Sequence, residues 1–234
     1  MRTVKGLWNY AKERRYKMEI IKPGYVIETP LNEEEILSHI ERCGRVAYKS
    51  EDKITKGSAE KFIRSILKRG HESVIEHFSF SVRFICDRGV THELVRHRLA
   101  AYTQESTRYC NYAKKGVQFI KPFFWLGKEN AAGETVCVDA KYLIWLKAMK
   151  TAEECYNELI AMGASPQEAR SVLPNSLKTE IVATANVREW RHILRLRTSK
   201  AAHPQIREVM VPLLAELKRR LPVLFEDIEV DIWK

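Results

Sequence analysis

Apolar residues change their spacing several times along this chain, and each change marks a predicted element. Met18–Glu28 (MEIIKPGYVIE) reads as two short strands broken by Pro23-Gly24. Asn32, with Glu35 three residues on, resembles a capping box and starts a helix that runs to about Val46. Ser58 is the expected cap of a second helix with the apolar stripe Phe62, Ile63, Ile66 and Leu67, closed by Gly70. Phe78, Phe80, Val82, Phe84 and Cys86 alternate with mostly polar neighbours, as in a half-buried strand. Val90 to about Ala101 reads as a helix, and 128–138, with Ala132-Gly133, as an exposed loop. A long helix is predicted from Asp139 to about Met162. Ser165-Pro166-Gln167-Glu168 has cap, proline and glutamate in the order that starts a short helix ending before Pro174. Ile181, Ala183, Ala185 and Val187 alternate as a strand, and helices at about Glu189–Thr198 and Pro204–Arg220 close the chain.

No internal repeat, low-complexity tract or Gly/Ser linker interrupts this pattern. The expected fold is therefore α+β, a single domain over 18–234 preceded by an N-terminal extension at 1–17. Hydrophobic residues at 45% and charged ones at 30% give an ordinary globular balance for 234 residues. No stretch approaches the ~20 apolar residues of a membrane helix. The start, MRTVKGLWNYAKERRYK, lacks the apolar core of a secretory signal, so a cytoplasmic protein is expected. Five cysteines without a C-x-x-C pair argue against a disulfide framework or zinc site, and Cys86 is expected to be buried.

The formal charge of +10 calls for an anionic partner, either nucleic acid or phosphorylated small molecules. There is no run of five or six consecutive basic residues; arginines instead concentrate at 96–108 and 188–207. The densest cluster runs Arg96-His97-Arg98-Leu99-Ala100-Ala101-Tyr102-Thr103-Gln104-Glu105-Ser106-Thr107-Arg108-Tyr109. Guanidinium groups match phosphate geometry with paired donors and a permanent charge. Ser106 and freed backbone N–H groups would complete a phosphate cradle, with Gln104 and Glu105 suited to a base edge or ribose. The competing reading is a solvated face on which Glu93 and Glu105 pair with arginines. Three further segments stand out: Gly70-His71-Glu72-Ser73-Val74-Ile75-Glu76-His77, Ala169-Arg170-Ser171-Val172-Leu173-Pro174, and Asn186-Val187-Arg188-Glu189-Trp190-Arg191-His192 followed by Arg197. Two histidines six apart, His71 and His77, do not share a helical face, so no metal site is expected there. Arg191 and Arg195 read as a solvated helix face with Arg188.

The cluster resembles the signature of the flavin-dependent thymidylate synthases, R-H-R-x-x-S-x-x-x-x-S-x-R, and departs from it at Ala101 and Thr103. The other three segments are similar to that family's G-H-x-[ST]-x-x-E-H, A-R-x-x-L-P and N-x-R regions. The resemblance covers about residues 18–215 and implies the family's fold, with a mixed or antiparallel sheet and a helical layer. It implies reductive methylation of dUMP to dTMP, with FAD as cofactor, NADPH as reductant and 5,10-methylenetetrahydrofolate as carbon donor. By the same resemblance, Ser73, Arg96, His97, Arg98, Gln104, Asn186, Arg188 and His192 contact FAD. Glu93, Arg96, Gln104, Glu105, Ser106, Thr107, Arg108, Arg170 and Arg197 contact dUMP, with Arg197 catalytic at the pyrimidine and His71 near flavin and folate. A homotetramer with shared active sites, no metal, no nucleic acid and no membrane partner are also implied. No G-x-G-x-x-G follows a strand, so a Rossmann site for the flavin is not indicated. No cysteine sits in an activating cluster, with Cys110 beside Arg108 the one exception, and the family is thought to need no enzyme nucleophile. Two rivals remain: a nucleic-acid binder stacking bases on Tyr102, Tyr109, Tyr112 and Trp125, and a flavoprotein reductase of another substrate.

Overall fold

A computed structural model describes residues 18–125 and 139–230. The expected extension at 1–17 and the loop at 128–138 lie outside the described residues. The chain forms two compact units. The described residues of the first are 18–23, 86–89, 104–125 and 139–179; those of the second are 24–85, 90–103 and 180–230.

In the first unit, β1 (Glu19–Ile21) pairs in parallel with β5 (Gln118–Ile120), Ile20 opposite Phe119. Three helices accompany them: α4 (Tyr112–Lys115), α5 (Ala140–Ala161) and α6 (Pro166–Ala169). The expected starts hold. Asp139 Oδ1 accepts from Lys141 N–H at 2.8 Å, and the Ser165 N–H and hydroxyl both bond Glu168 Oε2, at 2.7 and 2.6 Å. The core gathers Tyr112, Val117, Phe119, Met149, Tyr156, Ala169 and Leu177. Within it the Tyr156 hydroxyl oxygen accepts the Tyr112 N–H at 3.2 Å, meeting a donor that α4 cannot satisfy itself.

The second unit is built on a four-stranded sheet of order β2-β3-β6-β4. Its strands are β2 (Gly24–Ile27), β3 (Ser79–Asp87), β4 (Ala101–Gln104) and β6 (Lys178–Asn186). β2 and β3 run antiparallel, Gly24 opposite Ile85. Phe80, Val82, Phe84 and Cys86 on β3, and Ile181, Ala183 and Ala185 on β6, are the buried alternation read from the sequence. The helices are α1 (Glu33–Arg45), α2 (Ser58–Lys68), α3 (Arg88–Leu94), α7 (Val187–Arg197), α8 (Pro204–Arg220) and α9 (Pro222–Phe225). α1 packs on α2 where Gly44 leaves no room for a side chain: a Cβ there would lie 2.6 Å from the Phe62 ring and 2.7 Å from Val74. Trp190 of α7 is fully buried, stacked 5.1 Å from Phe80, with its indole N–H donating to the Phe80 carbonyl at 3.0 Å.

Three local expectations are corrected. The helix expected over Val90–Ala101 ends at Leu94, and Ala101 instead opens β4. Val95 and Leu99, apolar residues beyond that end, are 41% and 81% exposed and give no burial to hold further turns. The end tightens instead, Arg96 and His97 N–H bonding the carbonyls of Glu93 and Leu94 three residues back, while the Tyr102 hydroxyl donates to the Leu94 and His97 carbonyls. Ser58 is the first helical residue rather than the cap; its hydroxyl turns back to accept from Thr55 N–H and to donate to Glu41. The short α4, β4 and β5 were not expected, since three or four residues carry too little periodicity.

Candidate active site

Within the second unit, β6 runs without a loop into α7, and Asn186 makes the junction: its side-chain oxygen accepts from Glu189 N–H at 2.9 Å. Trp190, Ile193 and Leu194 anchor α7 in the core. Its last residue, Arg197, is clamped by three acceptors. Nε–H donates to His97 Nε2 at 3.0 Å, Nη1–H to Glu93 Oε2 at 2.8 Å and Nη2–H to the Glu93 carbonyl at 3.0 Å. A guanidinium has five N–H donors, so one remains on each terminal nitrogen for a ligand. Glu93, Arg197 and His97, all expected in the site, are thus brought together.

A guanidinium cannot accept, so His97 Nε2 must offer a lone pair to Arg197 and the neutral ring carries its proton on Nδ1. Burial, then the charges of Arg197 and His192, push the His97 pKa down to about 4, keeping the ring neutral near pH 7. Its Nδ1 faces Glu189 Oε1 at 3.8 Å, and burial raises the Glu189 pKa. His97, Glu189 and His192 present ligand atoms within 4.8 Å of one another, a spacing a cation could bridge. While the Arg197 bond stands, however, Nδ1 carries a proton and has no lone pair for a metal.

The first unit holds the signature from Gln104 on. Glu105 Oε2 meets Lys178 Nζ at 3.3 Å, and its Oε1 accepts from the Tyr112 hydroxyl at 3.1 Å. The acid therefore pairs with a lysine, not with an arginine as the solvated-face reading had it. Arg170 Nη1 donates to Thr107 Oγ1 at 3.3 Å, bringing two expected nucleotide contacts together. Gln104 Nε2 donates to Thr179, and Ser106 Oγ accepts from Arg108 N–H. The Arg108 guanidinium is exposed and lies 5.4 Å from the Tyr109 ring centre.

In the second unit Arg96 and Arg98 are exposed. His71 and Ser73, also exposed, border a cleft of about 820 Å³ lined by Arg45, Lys53, Lys56, Lys61 and Arg69, with no carboxylate in its lining. Among the described residues none of the three lysines has an acidic partner. Arg188 is exposed and bonds Glu76 at 2.6 Å. Arg191 corrects the sequence reading: it is 1% exposed, bound to Asp227 at 2.6 Å and to the Leu224 carbonyl, while Arg195, like Arg188, stays exposed. Sequence reasoning missed Glu189, Lys178 and the cleft lysines. Glu189 had one signal, an acid in the first turn of a helix that also bears His192, but nothing marked it as buried.

The aromatic surface needed for base stacking is incomplete. Tyr112 is 5% exposed and Tyr102 is tied to two carbonyls, leaving Tyr109 freely exposed and Trp125 half-buried. No helix among the described residues is long and apolar enough to cross a membrane.

Residues 31–223 match the family described as thymidylate synthase complementing protein. The chain belongs to this family. The match runs through both units and includes every expected site residue from His71 to Arg197, so the resemblance read from the signature holds. The chain is 37% identical to the flavin-dependent thymidylate synthase of Pyrococcus furiosus over 182 residues, covering 76% of this chain and 70% of that one. It is 32% identical to the enzyme of that name from Corynebacterium efficiens, covering 82% and 79%. Its fold is shared with a UMP/dUMP methylase, PolB, from Streptomyces cacaoi bound with 5-Br dUMP. That likeness has a TM-score of 0.71 at 26% identity and covers 89% of this chain and 95% of the other. The family's mixed α+β architecture is therefore this chain's own.

Proposed function

We propose that this family member methylates dUMP reductively to dTMP, using a flavin. The observation that carries the reading is its identity to flavin-dependent thymidylate synthases across most of the chain. We further propose FAD as the flavin, NADPH as the reductant, 5,10-methylenetetrahydrofolate as the carbon donor, and a homotetrameric cytoplasmic enzyme. The chain's residues fit an FAD. A cleft lined by Lys53, Lys56, Lys61 and Arg69, with Arg45 already paired to Glu41, suits its phosphates, and His71 and Ser73 stand on its border. Ser73, Arg96, Arg98, Asn186, Arg188 and His192 would hold the cofactor, with His97 behind Arg197. When bound, the flavin supplies the hydride that takes the transferred one-carbon unit to a methyl group.

The protein's share of the chemistry is binding and electrostatics. Arg108, Ser106 and Arg170 suit the phosphate of dUMP, and Gln104 and Glu105 its sugar and base. Carbon–carbon bond formation at C5 of uracil needs an electron-rich ring, and loss of the N3 proton to solvent supplies one by placing negative charge on its N3–C2=O edge. The two unspent donors of Arg197 are the groups to take up that charge. Because Glu93 and His97 hold the guanidinium in place beforehand, little reorganisation is needed as the charge develops.

Purified protein is expected to be yellow, or to become so on adding FAD, with flavin absorbance at stoichiometric occupancy. A colourless preparation that cannot be reconstituted would sink the assignment. Arg108→Ala should weaken dUMP binding about tenfold to a hundredfold, the size of a charge-assisted contact. Isothermal titration checks this, and unchanged affinity removes Arg108 from the phosphate site. The nucleic-acid reading predicts a steep salt dependence of oligonucleotide binding, and the buried Tyr112 already counts against it.

A further inference from the structure

We propose that Glu189 is a positioning residue for Arg197, acting through the tautomer of His97. The proposal rests on the assignment of Arg197 to the uracil ring. The Arg197 Nε–H bond at 3.0 Å requires a lone pair on His97 Nε2, hence a proton on Nδ1. A free histidine side chain in water favours the opposite tautomer, so the fold must hold this one, the Arg197 N–H on one side of the ring and a second group on the other. Among the described residues, three charged or titratable groups face His97: Arg197, His192 and Glu189. Only Glu189 is an anion, and it lies on the Nδ1 side, 3.8 Å away, with both side chains nearly dry at 4% and 8% exposure. That distance is beyond a hydrogen bond, but in so dry a setting the carboxylate still favours N–H over a lone pair opposite it.

Glu189 has one further titratable neighbour, the exposed His192. Among the described residues no donor hydrogen-bonds its carboxylate; Tyr102, whose titration it influences, gives its hydroxyl to the Leu94 and His97 carbonyls instead. A buried carboxylate without a donor is costly to keep, and facing His97 Nδ1 gives it a function. Replacing Glu189 by glutamine lets an amide N–H face Nδ1 and permits the other tautomer. Its Nε2–H would then confront the Arg197 Nε–H, and the guanidinium would be held from the Glu93 side alone.

The test uses the full-length, flavin-loaded enzyme with ¹⁵N-histidine, the His97 signal being assigned by its loss in His97→Gln. In the wild type, His97 is expected to be neutral with the proton on Nδ1; a proton on Nε2 overturns the proposal without any variant. In Glu189→Gln, Nε2–H should appear and kcat should fall about tenfold to a hundredfold, while flavin content and dUMP affinity stay within about twofold and the thermal midpoint within about 4 °C. Glu189→Asp keeps the charge and should keep the tautomer and most of kcat. An unchanged tautomer in Glu189→Gln, or an altered tautomer with full kcat, overturns the proposal. If Arg197→Ala retains full activity, it is the Arg197 assignment that fails, and the tautomer readings still report on Glu189 and His97.

Discussion

Arg197→Ala is expected to bind flavin as the wild type does and to methylate dUMP about 10²–10³-fold more slowly, the scale of losing a preorganised donor to a developing oxyanion. The expectation comes from how the guanidinium is held. Three of its donors are bound by His97 and Glu93, so its direction is set before any substrate arrives. Its side chain is only 14% exposed, so an anion reaching the two remaining donors displaces little water. Truncation removes the donors and leaves the Glu93 carboxylate beside the vacated space, where it would repel an ionising pyrimidine. Lysine at the same position restores a charge but not the three-point clamp, so Arg197→Lys should recover only a small part of the rate. Single-turnover dTMP formation, with flavin occupancy measured by absorbance, separates these outcomes. Full turnover by the alanine variant would remove Arg197 from the chemistry.

The largest effect on stability is expected at Trp190. Its indole is fully buried, stacks on Phe80 at 5.1 Å and lies 6.3 Å from Phe84, while Phe225 meets Phe80 edge-on. Trp190→Ala should cost about 3–5 kcal/mol, combining lost transfer energy with the cavity left behind, and lower the thermal midpoint by about 6–20 °C for a chain of this size. Trp190→Phe isolates the hydrogen bond. It keeps most of the packing but leaves the Phe80 carbonyl without its 3.0 Å donor, so a loss of about 1–3 kcal/mol is expected. Urea titration with an unchanged m-value would give both numbers. A loss below about 1 kcal/mol in the alanine variant would mean that α7 is anchored elsewhere.

The elements legible in the sequence are those with long, regular burial. β3 and β6 alternate cleanly because one face of each is in the core, and α5 and α6 carry their caps in the expected places. What misled was apolar character without burial, as at Leu99, and charge without solvent, as at Arg191. Arg191 looks like one of three surface arginines until Asp227, 36 residues on, and the Leu224 carbonyl are seen to take it into the core. The site shows the same division. Motif spacing picks out Glu93, His97 and Arg197 one by one, but the bonds joining them span 100 and 104 residues of chain and exist only after folding. Glu189 was passed over because its meaning depends on which nitrogen of His97 holds a proton, and that follows from geometry alone.

α7 places Trp190, Ile193 and Leu194 in the core within the same three turns that carry Glu189, His192 and Arg197. Substitutions that reshape this part of the site therefore draw on the stability of the whole unit, and a lineage exploring new substrates would exhaust its tolerance here first. The freer ground is β4. Ala101 and Thr103 are exposed, and there the chain already differs from its family's usual residues. Substitutions at these two positions should therefore leave the unit's stability nearly untouched.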